Sequence, residues 1–425
     1  MKLPRRLGVG RCVGGSLVLA LSVSLGASSA QWPQWRGPSR NGTVAATATP
    51  KWPEAWKRAW RTDVGEGYSS PVVSGGRVFV HSRRDPEELV TALDLASGKA
   101  LWQQKYTSPF DKNQYAKNMA KGPHSTPLVA GDIVITMGGS GVVSAWNAAT
   151  GALAWRKDYS ATVDLSKLFT GTASSPLLEG GSVVVQVGSD VHGGRIVALD
   201  PKTGAERWTW KGKGPGYASP VVFAAGGVRQ IATMTNGSVE GLDAKSGAPL
   251  WSIPFPDEWH ENIVTPIWTG THLIVSGTRQ GTHAYTLAPL DAAQGKQAGG
   301  KWQAVEAWKN PDVAMYMSTP VLADGILYGL SSRKRGQFVA VEAATGALKW
   351  ATEGRATNHA SILLTPSHVL LLTTAGELIL VKPTAAKYEE ERRYTVANSE
   401  TWAVPVVLGE GLIVRDATSV MKLIP

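Results

Sequence analysis

"ALDPKTGAERW", Ala198–Trp208, is one of five near-copies of a single eleven-residue stretch. The others are "ALDLASGKALW" at Ala92–Trp102, "AWNAATGALAW" at Ala145–Trp155, "GLDAKSGAPLW" at Gly241–Trp251 and "AVEAATGALKW" at Ala340–Trp350, always with Gly four before Trp. A second motif sets the period. Ser/Thr-Pro or a close variant ends at Pro71, Pro127, Pro176, Pro220, Pro266 and Pro320, with degenerate copies at Ile362 and Pro405. The spacings of 56, 49, 44, 46, 54, 42 and 43 residues define eight units, each the size of a four-stranded propeller blade.

Within a unit the side chains alternate with period two. "SPVVSGGRVFVHS" reads as a strand, a Gly-Gly turn and a second strand, and "LVTALDL" reads as a third. The eleven-residue motif then makes a tight hairpin turn, with Gly in the left-handed conformation and Trp on the fourth strand. The sequence thus predicts an all-β, eight-bladed β-propeller of four-stranded antiparallel blades. Each indole is expected to dock its blade on the next, through Trp60, Trp102, Trp155, Trp208, Trp251 and Trp350. Complete burial of one such ring removes roughly 200 Å², an upper bound of about 5 kcal/mol. The eighth unit has room for three strands, and "AWKRAWRTDV" (Ala55–Val64) supplies the missing one, so the N-terminal strand should close the last blade. The fifth unit stretches its turn through "LAPLDAAQGKQAGGKW", with Trp308 as its anchor, and the seventh replaces Trp with Tyr394.

Composition agrees. Of 425 residues 43% are hydrophobic, with 47 Gly, 17 Trp and one Cys, which suits many turns and aromatic anchors and excludes disorder. Lys2, Arg5, Arg6 and Arg11 flank the start of an apolar core at Val13–Gly26, with Ser28 and Ala30 beyond it. That order predicts a signal peptide over 1–30, cleaved after Ala30, and a periplasmic or secreted protein. Cys12 precedes the apolar core, so the mature chain is expected to lack a lipid anchor, a disulfide and a thiol. Removing the leader lowers the formal net charge from +10 to about +6. No dense Lys/Arg run points to nucleic acid, and no further stretch is apolar enough for a membrane span. The organisation expected is a signal peptide (1–30), an N-terminal extension (31–51) and a propeller (52–425), as a monomer.

The repeat with Gly four before Trp, the eight blade starts and the clasp together resemble the PQQ-like, quinoprotein-type β-propeller family, from about Trp52 to Pro425. That family includes dehydrogenases that use pyrroloquinoline quinone (PQQ) and the non-enzymatic outer-membrane protein assembly factor B. "WPQWRGPSRNG" (Trp32–Gly42) is similar to the mature start of exported PQQ-like repeat proteins. It has no repeat period and is expected over the propeller exterior or one mouth, with Trp32 facing solvent. For a dehydrogenase the resemblance implies adjacent cysteines near the quinone, a calcium site of Glu, Asn and Asp, and an Asp base. Beyond Cys12 there is no cysteine and no C-x-x-C-H motif. Glu261-Asn262 with Asp257 is the nearest approach to the calcium set, and His260-Glu261 is the one adjacent acid–base pair in a long loop.

Connectivity places the uniform Ser/Thr-Gly turns on one face and the long, irregular loops on the other, where binding is expected. Three residues before each blade start lie Tyr68, His124, Ala173, Tyr217, Ile263, Met317, His359 and Trp402. They should ring one mouth of the central channel, and Tyr68, His124, Tyr217, His359 and Trp402 are the candidate binding residues. Arg279, Arg333, Lys334 and Arg335, with Arg83 and Arg84, should form a basic rim, partly offset by Asp85, Glu87 and Glu88. The first functional reading is a non-enzymatic exported propeller that binds an envelope protein and needs no cofactor. The alternatives are a divergent PQQ-dependent alcohol or sugar dehydrogenase using PQQ and Ca²⁺, and a carbohydrate- or peptide-binding sensor.

Overall fold

Alternating apolar residues pair in sequence order within each unit. In the first, Val72–Ser74, Arg77–Arg84, Glu87–Asp94 and Ala100–Thr107 form one antiparallel sheet. A computed structural model, describing residue 1 and residues 31–110, 116, 120–165, 168–290 and 302–425, arranges the chain as eight such four-stranded sheets. The expected signal peptide and the stretched turn of the fifth unit lie outside the described residues. Lys57–Asp63 pairs antiparallel with Ser419–Ile424, from Lys57 opposite Ile424 to Asp63 opposite Ser419, and so closes the eighth blade.

The geometry explains why the repeat begins on a small residue and ends on Trp. The two are cross-strand partners: Trp102 faces Ala92, Trp155 faces Ala145, Trp208 faces Ala198 and Trp350 faces Ala340. A register shift follows each pair, consistent with the bulge's role of turning the strand at that point. The indoles of Trp60, Trp102, Trp155, Trp208 and Trp308 lie over the turn glycine of the next blade. Gly98, Gly151 and Gly204 have φ of 69°, 75° and 70°, and a β-carbon there would come within 2.5–2.7 Å of the rings of Trp60, Trp102 and Trp155. Glycine is thus required both by the turn and by the neighbour's ring. The indole N–H groups donate to carbonyls of that same turn: Trp60 to Leu95 (3.1 Å), Trp102 to Ala148 (3.1 Å), Trp155 to Pro201 (2.9 Å) and Trp308 to Ala343 (3.1 Å). Trp350 donates to Thr384 (2.9 Å), and Trp208 covers Gly247.

Two expectations need correction. Trp251 does not reach a turn of the next blade, although it is buried in one cluster with Leu273, Val275, Tyr285, Leu287 and Trp302 of that blade. Its N–H bonds Gln230 of its own blade at 2.7 Å, and its ring lies against Gly241, because the fifth blade has no short Ser/Thr-Gly turn to receive it. Burial is also less than complete at Trp155, Trp208 and Trp350, which are half-buried, so the upper bound on their packing energy is not reached.

The Ser/Thr that precedes each blade-start proline links neighbouring blades around the channel. The Ser70 N–H donates to Thr126 Oγ1 (3.2 Å), Thr126 N–H to Ser175 Oγ (3.0 Å), Ser175 N–H to Ser219 Oγ (2.9 Å), Ser219 N–H to Thr265 Oγ1 (3.1 Å) and Thr265 N–H to Thr319 Oγ1 (3.2 Å). Across the closure, Val404 N–H donates to Ser70 Oγ (2.8 Å). The pattern changes at the degenerate units, where Ala360 N–H bonds Ser318 Oγ at 3.1 Å.

Inside this ring lies the N-terminal segment. Trp32, expected at the surface, is 1% exposed and exchanges backbone bonds with Val73 at 2.7 and 2.9 Å. Pro33 accepts from Val129 (2.8 Å), and Val44 and Gly42 bond Leu364 (2.7 and 2.8 Å). The side chains of Arg36 and Arg40 reach carbonyls of Pro320, Pro220, Pro176 and Ser175. The segment therefore crosses the channel and meets six of the eight innermost strands or their starts. It is drawn inward because the innermost strands present unpaired backbone groups that water would otherwise have to satisfy.

Trp32→Ala should cost about 3–5 kcal/mol in denaturant unfolding, whereas Leu101→Ala, at an exposed site, should stay within about 0.5 kcal/mol. Equal small losses would remove the segment from the core. Thr126→Val, which keeps shape but strands the Ser70 amide, should cost about 1–3 kcal/mol in the same assay.

Candidate functional site

The eight positions three residues before the blade starts surround one cavity. Tyr68, His124, Ala173, Tyr217, Ile263, Met317, His359 and Trp402 all line it, with the Ser/Thr ring below them and Trp35 and Arg36 as its floor. Its volume is about 180 Å³. One wall is a continuous aromatic run. Tyr68 meets His124 edge-on at 5.0 Å and Trp402 at 5.4 Å, and Trp402 stacks on His359 at 4.8 Å. Tyr217 stands with Phe169, whose N–H its hydroxyl accepts at 2.5 Å.

The hydroxyl and indole N–H groups of the wall are already engaged. The Tyr68 hydroxyl donates to Glu400 (3.2 Å) and accepts the Ala120 N–H (3.1 Å), and Trp402 Nε1 donates to the same Glu400 oxygen at 3.1 Å. Burial pushes Tyr68 and Tyr217 up to about 12, so both stay neutral. Burial also raises Glu261, against a hydrogen bond from Tyr316 that lowers it. The amide of Asn262 donates to the carbonyls of Thr235 (2.8 Å) and Phe255 (2.9 Å), and Asp257 Oδ1 caps its own loop at Trp259 and Glu261. The Glu261, Asn262 and Asp257 side chains therefore do not converge as calcium ligands, and no group of three or more His, Cys, Asp or Glu gathers among the described residues.

The residues expected to form a basic rim do not line the cavity. Arg83 is 3% exposed and bonds Asp85 and the Ser108 carbonyl (2.8 Å), so it belongs to the interior and not to a rim. Arg84 pairs with Asp63 at 2.7 Å, Arg279 with Glu258, and Arg333 donates to Pro311 at 2.8 Å. Lys334 and Arg335 are exposed, on a turn with φ of 49° and 67°. Sequence reasoning did not single out Arg36 or Trp259. Arg36 sits in a segment without repeat period, so register gave it no position. Trp259, 57% exposed, lies two residues before Glu261 at the cavity's edge, and its place in a long loop of the binding face was the available signal.

Burial holds His359 down to about 4. The unfolded chain takes up this proton near 6.5 and the folded chain only near 4, so stability falls as pH drops through that window. The loss should reach about 3 kcal/mol at most. Unfolding curves at pH 7 and pH 4 should show it, and His359→Gln should reduce that difference. An unchanged pH dependence in the variant would mean that the imidazole is not buried neutral.

The chain is similar to outer membrane protein assembly factor BamB of Shewanella oneidensis, 24% identical over 390 residues that cover 88% of this chain and 78% of that protein. It is 26% identical over 220 residues to the protein of the same name from Yersinia pestis, a match that covers 51% of this chain and 50% of that relative. Its fold is similar to that of quinohemoprotein alcohol dehydrogenase from Comamonas testosteroni, with a TM-score of 0.64 at 16% identity, covering 94% of this chain and 81% of that one; at that identity the likeness is one of fold. The family model described as outer membrane protein assembly factor BamB matches residues 40–211 and 86–352, and the chain belongs to that family of PQQ-like repeat propellers.

Proposed function

We propose that this is an exported, non-enzymatic binding propeller that presents its aromatic mouth to a protein of the bacterial envelope. The observation that carries this reading is the cup: one residue from each of eight blades meets around a cavity on the loop-bearing face, floored by Trp35 and Arg36. Its hydroxyls are tied to neighbouring protein groups, which supports rigid, shape-selective binding over bond-making. No helix of the described residues is long and apolar enough to cross a membrane. The relatives' name points to a component of outer-membrane protein assembly as the partner. Trp259 and Val191, 57% and 71% exposed, extend the apolar surface onto the loops, and Asn236 ties those loops together through Asp190 and His260. Exposed aromatic residues of this kind are frequent hot spots.

Capture from an envelope extract tests the reading. Trp259→Ala and Trp402→Ala should each weaken capture by about 2 kcal/mol or more while the fold is kept. Charge reversal at Lys334 and Arg335 should mainly slow association, with an effect that fades in high salt. Equal capture by wild type and both Trp variants would place the binding surface elsewhere. Retention of stoichiometric quinone after incubation with PQQ and Ca²⁺, with dye reduction on alcohols or sugars, would replace this reading with the dehydrogenase one.

A further inference from the structure

The channel segment carries two arginines, Arg36 and Arg40, 3% and 6% exposed, and they are not alike. Burial lowers both to about 9, still charged at neutral pH, and no carboxylate contributes to either. Arg40 has carbonyl partners for all three nitrogens: Nε to Pro220 (2.9 Å), Nη1 to Pro176 (2.7 Å) and Nη2 to Ser175 (2.6 Å). It is a clamp between blades. Among the described residues Arg36 makes one bond to a carbonyl, from Nη2 to Pro320 at 2.6 Å, and its buried Nε has no partner. Arg36 also lines the cup, next to the Trp35 ring at 5.5 Å. Glu261 is the one carboxylate among the described lining residues, and burial favours its neutral form. A desolvated guanidinium without an anion is costly, and a ligand that brings the anion offsets that cost.

We propose that Arg36 is a carboxylate seat at the bottom of the cup, and that its ligand is the free C-terminal residue of a partner polypeptide, bearing an apolar or aromatic side chain. The inference rests on the mouth being the partner-binding site and names what enters it. Three observations select a chain end. The segment crossing the channel floors the cup, so a strand cannot run straight through. The cavity, about 180 Å³, is smaller than the ~300–1,000 Å³ typical for drug-sized ligands and suits one residue. A terminal carboxylate puts its charge at the tip, beside the Arg36 guanidinium, while Tyr68, Tyr217 and Trp402 pack the stem.

Tryptophan fluorescence of the full-length mature protein can be titrated with four probes. These are an acetylated tripeptide ending in phenylalanine with a free carboxylate, its C-terminal amide, an amidated peptide with an internal glutamate, and N-acetylphenylalanine as a free small acid. The acid-ended tripeptide should bind at least tenfold tighter than its amide. The preference should persist in high salt, because the seat is buried and poorly screened. Arg36→Met should abolish the preference, and Arg36→Lys should keep part of it. The wild-type acid–amide comparison decides the matter even if Arg36→Met fails to fold. Equal binding of acid and amide, no binding of either, or a preference retained in Arg36→Met would overturn the seat. Tighter binding of the internal glutamate or of N-acetylphenylalanine than of the acid-ended tripeptide would overturn the chain end. If wild type captures an envelope protein while acid and amide bind equally, the seat fails and the mouth reading stands. If the Trp259 and Trp402 variants leave capture unchanged, the mouth reading fails and the seat with it.

Discussion

The meeting of an indole with a glycine across a blade boundary is the contact on which the rest depends. A single four-stranded blade has two faces to bury and too little chain to bury them alone. Trp60 over Gly98, Trp102 over Gly151 and Trp155 over Gly204 give each sheet a fixed angle and spacing relative to the next. The indole N–H adds direction to what would otherwise be non-directional packing. The same contact, from Trp60, joins the eighth blade to the first. The Ser/Thr links perform the same task on the inner circumference. The channel wall is thereby held at two radii, and the residues just above the inner ring inherit fixed positions from it.

Much of this was legible in the sequence, and for a physical reason. Identical packing needs identical residues, so the period, the blade number and the closing strand Lys57–Asp63 could be read from spacing alone. The convergence of Tyr68, Tyr217, His359 and Trp402 followed from register, since each stands at the same offset from a blade start. What escaped were contacts made outside the repeat. Trp251 keeps the motif but faces a blade without the receiving turn, so its fate depended on a neighbour and not on itself. Trp32 and Arg36 belong to a segment used once, and a residue used once has no period to reveal its place. The Ser/Thr before each proline was visible as a pattern, but its hydrogen-bond partner lies 44 to 56 residues away in five of the links.

The site shows how a repeat architecture acquires individuality. Eight equivalent positions hold Tyr, His, Ala, Tyr, Ile, Met, His and Trp, so the mouth is asymmetric although the scaffold is not. Its floor comes from outside the repeat altogether. Related folds can therefore share every blade and still differ in what the channel accepts.

The closing strand has a consequence in time. Lys57–Asp63 is the first of the described strands in chain order, and its partner, Ser419–Ile424, is the last of them. Blades one to seven can form as soon as their own residues are available. The eighth cannot, and neither can the indole contact that Trp60 makes with the first blade while its own sheet is unfinished. The circle is thus held open until Ser419–Ile424 is available to pair. Until then it is an arc with free edges at both ends, and its full rigidity arrives in one late step governed by the most distant pairing in the chain.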